Sequence, residues 1–415
     1  MAAESRAERP LRVALLEPAG RGGIHHYSRA LAAALATAGV DVLFATARDH
    51  EFAARDAGVP PPFRLAPLFD RWRSSPRAIL SALRAFAPDL LHLQAGTHPL
   101  LHLGLLISAK LATGARAVVT AHDLVPKNSS RLGALAASLL QRAADRIVVH
   151  GETLARELAQ RVPAAAARVR VVPHGESSFV GDLARDEADG DASLCNGASA
   201  AGSAPTILFF GYLHEEKGLP DLIEALPIVA ATIPDVRLVI AGEPELDVAP
   251  LKDRAARLRV ADRIEWRLGY VDAAAIGGLF EPAQVVVLPY RRASQSGVVF
   301  LAGAFARPLV ATRVGALAEV IDDGSTGRLV APGAPLELAA ALSELLSDPL
   351  RARKMGRAHA RRCRSVGSWS AIAERTRALY AELVPASAEH VRVRGRGGEL
   401  RAASRAGDRE LVARP

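Results

Sequence analysis

Cysteine is almost missing: the 415 residues contain two, Cys195 and Cys363. Two distant thiols build neither a disulfide framework nor a zinc site, and they fit a reducing compartment. Aromatic residues make up 5% of the chain. That is too few for the stacking platforms that hold single-stranded nucleic acid, so no nucleic-acid partner is expected from the basic stretches. No apolar run reaches the roughly 18 residues that a membrane-spanning helix needs. The nearest candidate, "PLLHLGLLISAKLATG", is interrupted by His102 and Lys110. The opening "MAAESRAERP" lacks the long apolar core of a signal peptide. The expected location is therefore cytoplasmic, with peripheral attachment to the inner face of a membrane left open. Acidic residues are missing from one place in particular, the whole interval between Glu281 and Glu319.

A chain of this length exceeds one ordinary domain, and two are expected. The net charge of +8 is unevenly spread. Residues 1–175 carry 22 Lys/Arg against 13 Asp/Glu, a net +9, whereas 176–385 carry −4 and the tail +3. A basic first half fits an anionic membrane surface, a phosphorylated substrate or nucleic acid, or simply an arginine-rich composition.

Short β-branched runs ("LRVALLEP", "DVLFAT", "DLLHLQ", "ARAVVTAH", "DRIVVH") alternate with helix-period segments such as "IHHYSRALAAALATAG". Strands without polar alternation are buried on both faces, which implies right-handed βαβ crossovers and a parallel sheet. The pattern restarts at "TILFFG". The expected fold is α/β, with two Rossmann-like doubly wound parallel-sheet domains facing a cleft. The expected boundaries are 1–178 and 205–370, with a Gly/Ala/Ser/Asp-rich linker at 179–204, a closing helix at 371–385 and a basic tail at 386–415. Ligands bind such sheets at the carboxyl ends of their strands.

Three loops there can receive an anion. In "EPAGRGGIHHYSRAL" a strand runs into Gly20, Gly22 and Gly23 and then a helix, which fits a phosphate seat or a bare tight turn alike. In "FFGYLHEEKGLPDLIEAL" Lys217 stands on a strand–helix loop and can act as a point charge for a diphosphate, or pair with Glu215 or Glu216. In "LPYRRASQSGVVFLAGAFARPLVAT" the loop Ser294, Gln295, Ser296, Gly297 leads into a helix whose free N–H groups attract an oxyanion, with the serine hydroxyls as further donors. A fourth passage, "GALAEVIDDGSTGRLVAP", reads as strand–turn–strand with Glu319 inside it.

In their order and spacing these pieces, together with "VVTAHD", "ADRIVVHGETLARELA", "VRVVPHG", "VRLVIAGE" and "SWSAIAERTRALY", resemble the GT-B fold glycosyltransferases of family 4, also called group 1, which are retaining. The resemblance covers roughly residues 11–385. It implies transfer of a sugar from a nucleotide-diphosphate sugar to an acceptor hydroxyl, without a cofactor or metal. The acceptor would be a sugar, polysaccharide or lipid-linked group. It implies that Lys217 binds the donor diphosphate and that Ser296, Gly297 and Val298 hold its oxygens. Gly22 and Gly23 would approach from the other domain, His122 would lie at the reacting sugar, and Glu319 would lie on the donor side or only stabilise its loop. His25 and His26, directly after the glycine loop, are read as acceptor contacts. His92, His102, His150 and His174 are read as packing residues, with His174 the most ambiguous.

Two departures stand out. Tyr212 and His214 occupy positions where many members carry an arginine. Ser294 and Ala302 occupy those of a glutamate pair. Stabilising the departing diphosphate is the main demand of such a transfer, so Arg291 or Arg292 is expected to add charge there. Two alternatives stay open: a sugar-nucleotide epimerase on the same scaffold and, motivated by Tyr212, Ser294 and Ala302, a catalytically silent partner subunit. The segment "FDRWRSSPRAILSALRAFAP" joins Arg71, Arg73, Arg77 and Arg84 to Trp72 and Phe86. It is expected either to lie on an anionic membrane or to dock on its own core.

Overall fold

The computed structural model describes residues 9–70, 75–124, 130–177, 180 and 204–384. Apart from Val180 and Ala204, the expected linker lies outside the described residues, as do the basic tail, Arg71, Trp72 and Arg73.

The first domain alternates β1 (Arg12–Leu16), α1 (Gly22–Thr37), β2 (Asp41–Ala47), α2 (Ala53–Gly58), β3 (Arg64–Phe69), α3 (Pro76–Phe86) and β4 (Leu90–Ala95). It continues through α4 (Pro99–Thr113), β5 (Arg116–Ala121), α5 (Arg131–Ala143), β6 (Arg146–Val149), α6 (Glu152–Arg161) and β7 (Val169–Val171). The seven strands form one parallel sheet in the order β3-β2-β1-β4-β5-β6-β7. Every residue of β4 is buried, as expected for a strand covered by helices on both faces.

The second domain runs β8 (Thr206–Phe210), α7 (Leu219–Thr232), β9 (Arg237–Gly242), α8 (Ala249–Arg257), β10 (Ile264–Leu268), α9 (Gly277–Phe280) and β11 (Val285–Leu288). Then come α10 (Gly297–Ala304), β12 (Leu309–Thr312), α11 (Leu317–Val320), β13 (Gly327–Val330), α12 (Pro335–Ser347) and α13 (Pro349–Val366). Its six-stranded sheet has the order β10-β9-β8-β11-β12-β13. Glu319, expected between strands, sits in the short helix α11. The switch points of strand order lie between β1 and β4 and between β8 and β11. The loops leaving those strands include all three anion loops read from the sequence.

After Gly367 the chain returns to the first domain. Helix α14 (Trp369–Ala381) packs on α1, and its Ile372, Ala373, Leu379 and Tyr380 join the core of Val13, Leu15 and Leu31. The Tyr380 hydroxyl bonds to His92 Nδ1 at 2.6 Å. The two crossings between domains touch each other. Glu176 N–H donates to Gly367 O and Trp369 Nε1–H donates to Glu176 O, both at 2.9 Å. Helix α3 turns Ile79, Leu83 and Phe86 into its own core. Its apolar side is therefore not free to enter a membrane, and only Arg77, Arg84 and small residues face outward.

Candidate functional site

The second domain supplies a cationic, amide-rich wall. Helix α10 opens at Ser296, whose extended backbone (φ −147°) makes it the N-cap without a side-chain cap bond. The first amides of any helix have no partner inside it, and here those belong to Gly297 and Val298, since Val299 N–H already donates to Ser296 O. The Ser296 hydroxyl lies 3.3 Å from that of Tyr290, and Lys217 Nζ sits 3.7 Å from the centroid of the Tyr290 ring. Lys217 is delivered by a tight turn in which His214 Nδ1 accepts from Glu216 N–H. The next residue must be glycine. Gly218 has φ +67°, and a Cβ there would come within 1.8 Å of Pro289 O. That close approach pins the Lys217 turn to the end of β11. Burial pushes the Lys217 ammonium down to about 8, while Asp123 of the first domain pulls it back up across the cleft. A methyl group on Gly297 would lie 3.8 Å from His174 Nε2, and the His174 ring stacks on Phe300 at 4.8 Å. Lys217 and the start of α10 thus share one surface, and that surface faces the first domain.

The first domain supplies the glycine loop. Glu17, buried at the end of β1, accepts from Ala19 and Gly20 N–H and from Thr46, and bonds to His25 Nδ1 at 2.6 Å. Burial pushes its carboxyl up, but these bonds outweigh it and hold it below the usual range. His25 is 0% exposed. It therefore anchors the loop from beneath and does not reach an acceptor, which corrects the sequence expectation. His26 Nε2 holds Glu51 at 2.7 Å. Glu51 in turn crosses to the second domain, accepting from the Tyr270 hydroxyl at 2.7 Å and from Ala273 N–H at 2.5 Å. Burial raises the Glu51 carboxyl, but His26, Tyr270 and Ala273 together bring it down to about 2. Gly22 N–H donates to the Tyr270 hydroxyl at 2.8 Å and to Glu51 at 3.3 Å. The Gly22 amide is thereby engaged in an interdomain clasp. Around Gly23 there is open space. Arg21 stands beside the clasp, 5.1 Å over the Tyr270 ring and 3.7 Å from Glu243.

Under the cleft lies a chain of histidines around Tyr27. His150 Nδ1–H donates to Val172 O at 3.0 Å, so its Nε2 accepts from His122 Nδ1–H at 3.3 Å. His122 Nε2 is left as an acceptor 2.9 Å from the Gln94 amide, whose NH2 supplies the proton when the amide is turned towards it. His174 Nδ1–H donates to Gly175 O at 2.7 Å. Burial lowers all three rings, His150 to about 4, His174 to about 3 and His122 well below its ordinary value. His122 is 4% exposed with both nitrogens engaged, so it is a neutral, fixed ring and not a titrating acid.

Three further expectations are corrected. Both Glu319 oxygens are taken by the first domain, from Glu152 N–H at 2.9 Å and Thr153 N–H at 2.8 Å, because the unpaired amides at the start of α6 attract a carboxylate. Arg291 is held by Asp221 through two bonds, of 2.8 and 2.6 Å. The Arg292 side chain is 79% exposed and 3.5 Å from Glu216, so it stands in solvent at the rim. The Ser294 carbonyl accepts from Ala316 N–H. Gln295 Oε1 is buried without a hydrogen-bond partner among the described residues. Among the described residues, no cluster of three His, Cys, Asp or Glu is arranged for a metal. Sequence reasoning missed Glu51 and Tyr270, neither of which lies in a recognisable motif, and Arg21, which stands among the glycines of the first loop.

Residues 21–175 match the family described as Glycosyltransferase Family 4, and residues 204–348 match Glycosyl transferases group 1. The chain is 34% identical over 174 residues to a glycogen synthase of Mycobacterium tuberculosis, a match covering 42% of each protein. It thus spans about two fifths of the length of that relative. It is 30% identical over 297 residues to an alpha-maltose-1-phosphate synthase of Mycolicibacterium smegmatis, covering 66% of this chain and 75% of the relative. Among solved structures, Anabaena HepE in complex with UDP and glucose superposes with a TM-score of 0.69 at 17% identity, over 90% of this chain and 100% of that one.

Proposed function

This chain belongs to the GT-B glycosyltransferases of family 4, the glycosyl transferases group 1, and from that premise we propose that it moves a sugar from a nucleotide-diphosphate sugar to an acceptor hydroxyl with retention at the anomeric carbon. One observation carries the reading: Lys217 and the unpaired amides at the start of α10 share a surface that faces the other domain. The bond from the anomeric carbon to the diphosphate breaks, and negative charge gathers on the leaving oxygens. The Lys217 ammonium and the N–H groups of Gly297 and Val298 receive that charge. Ser294 and Ser296 add hydroxyl donors, and Gly23 admits the diphosphate from the opposite wall. The acceptor oxygen bonds to the same face of the sugar, and its proton passes to the departing phosphate oxygen. No carboxylate from α10 is required, which fits the absence of acids between Glu281 and Glu319. His122, neutral and fixed, positions the floor on which the sugar rests.

The UDP and glucose held by HepE support a nucleoside-diphosphate donor, and a glycogen synthase and a maltose-1-phosphate synthase among the relatives support a glycosyl acceptor. A panel of nucleotide sugars scored by thermal shift tests the reading. At least one should raise the Tm, since a ligand bound only to the folded state stabilises by mass action. Lys217→Ala should remove most of the shift, and the shift of the unaltered chain should shrink as pH rises through about 8, where Lys217 loses its charge. An equal shift in the variant would overturn the assignment of Lys217.

A further inference from the structure

Helices α3, α4 and α5 pack side by side over one face of the first sheet. Helix α4 turns Leu106 and Ala109 inward, yet its outer side is apolar as well. Leu100, Ile107 and Leu111 recur there at helical spacing, with Leu101 alongside, and Leu111 is 83% exposed. The outer side of α5 repeats the pattern with Leu132, Leu135 and Leu139, from 44% to 59% exposed. A surface helix of a water-soluble domain ordinarily turns polar residues outward, so contiguous leucines on two neighbours mark an interaction surface.

The charge around them identifies what covers it. None of the three helices contains an Asp or a Glu. Arg77 and Arg84 on α3, and Arg131 and Arg142 on α5, stand exposed around the leucines. Two copies meeting through this face would bring like charges together, whereas a bilayer with anionic headgroups supplies both the acyl boundary for leucine and the phosphates for arginine. The surface is also aimed. Helices α4 and α5 begin where β4 and β5 end, at the edge of the sheet that borders the cleft.

We propose that the outer face of α4 and α5 docks this chain on an anionic bilayer, bringing the mouth of the cleft to the headgroups, so that the acceptor is a lipid-linked hydroxyl. The acceptor part rests on the glycosyltransferase reading; the docking does not. This differs from the membrane contact expected of residues 69–88, because the apolar side of α3 is spent on the core and the leucines come from the next two helices.

Flotation of the full chain with phosphatidylcholine vesicles, with and without phosphatidylglycerol, tests it. The chain should float with the anionic vesicles and be released by salt. Leu111→Glu with Leu135→Glu should reduce the bound fraction roughly tenfold or more. Leu111→Phe with Leu135→Phe should keep it, which separates lipid contact from misfolding. The thermal shift with nucleotide sugar should be the same in both double variants. Undiminished flotation of the glutamate variant, or no flotation of the parent chain with either vesicle, overturns the proposal. So does a dimer of the parent chain that the glutamate variant splits into monomers, since the face would then be a protein interface. Loss of the thermal shift in the parent chain with flotation intact would sink the glycosyltransferase reading and the acceptor, and leave the docking standing.

Discussion

A single hydroxyl stands between the two halves of the cleft. Tyr270 donates to Glu51 and accepts from Gly22 N–H, and burial together with the Glu51 carboxylate raises its own pKa, keeping it protonated. The amide it occupies is one that the donor diphosphate is proposed to approach. Clasp and ligand therefore compete. Tyr270→Phe keeps the ring beneath Arg21 and removes only the competitor. It should lower the stability of the ligand-free chain by about 1.5–3 kcal/mol, the usual loss for a hydrogen bond to a charged partner. It should also tighten nucleoside-diphosphate binding several-fold. Calorimetric titration of both chains checks this, and weaker binding in the variant would show that the hydroxyl serves the ligand instead. The same residues show why adjacency in sequence misleads about a site. His25 and His26 follow the glycine loop directly, but the helix that starts there turns His25 onto Glu17 under the sheet edge and His26 onto Glu51.

Elements were far more legible than contacts. Buried strands alternating with amphipathic helices leave a periodic trace, so the two parallel sheets, their restart at "TILFFG" and the place of three loops at the strand switch points could all be read from the chain. A glycine such as Gly218 is written into the sequence because only glycine fits its φ and its distance from Pro289 O. The cap of α6 leaves no such trace. Its first turn begins at Gly151, which has no side chain to cap it, and the carboxylate that does so, Glu319, lies 167 residues away from Glu152. A carboxylate bonding to backbone amides requires no particular partner side chain, so spacing cannot announce it. Glu319→Ala should then behave as the loss of a helix cap, costing about 0.5–2 kcal/mol. The KM for nucleotide sugar should move little. Thermal melts beside steady-state kinetics distinguish this from a donor-binding role, which would raise KM and leave the Tm nearly unchanged.

At the scale of the whole molecule, the joint between the domains is built on imidazoles that must stay neutral. His122, His150 and His174 surround Tyr27, whose ring also meets Trp369 of the returning helix at 5.4 Å. His92 bonds to Tyr380 of the same helix. Burial holds His150 at about 4 and both His174 and His92 at about 3. In the unfolded chain each returns to about 6.5. Below that pH the unfolded chain binds protons that the folded chain refuses, so stability falls as pH falls, until the folded values are reached. Each ring adds a slope of at most about 1.4 kcal/mol per pH unit. Glu51 acts in a lower window: its depressed carboxyl contributes stability that is complete above its ordinary value of 4.5 and is lost as pH falls towards 2. The Tm should accordingly be nearly flat between about pH 7 and 8, above which the depressed Lys217 ammonium begins to add stability, drop steeply from about 6.5 to 4, and drop further as the Glu51 clasp protonates. His174→Asn keeps a donor for Gly175 O and removes one titrating ring. It should lower the Tm at neutral pH yet flatten the slope below 6.5 by about one proton's worth. Melts of both chains across that range give the comparison, and an unchanged slope would mean that the acid sensitivity arises outside the joint.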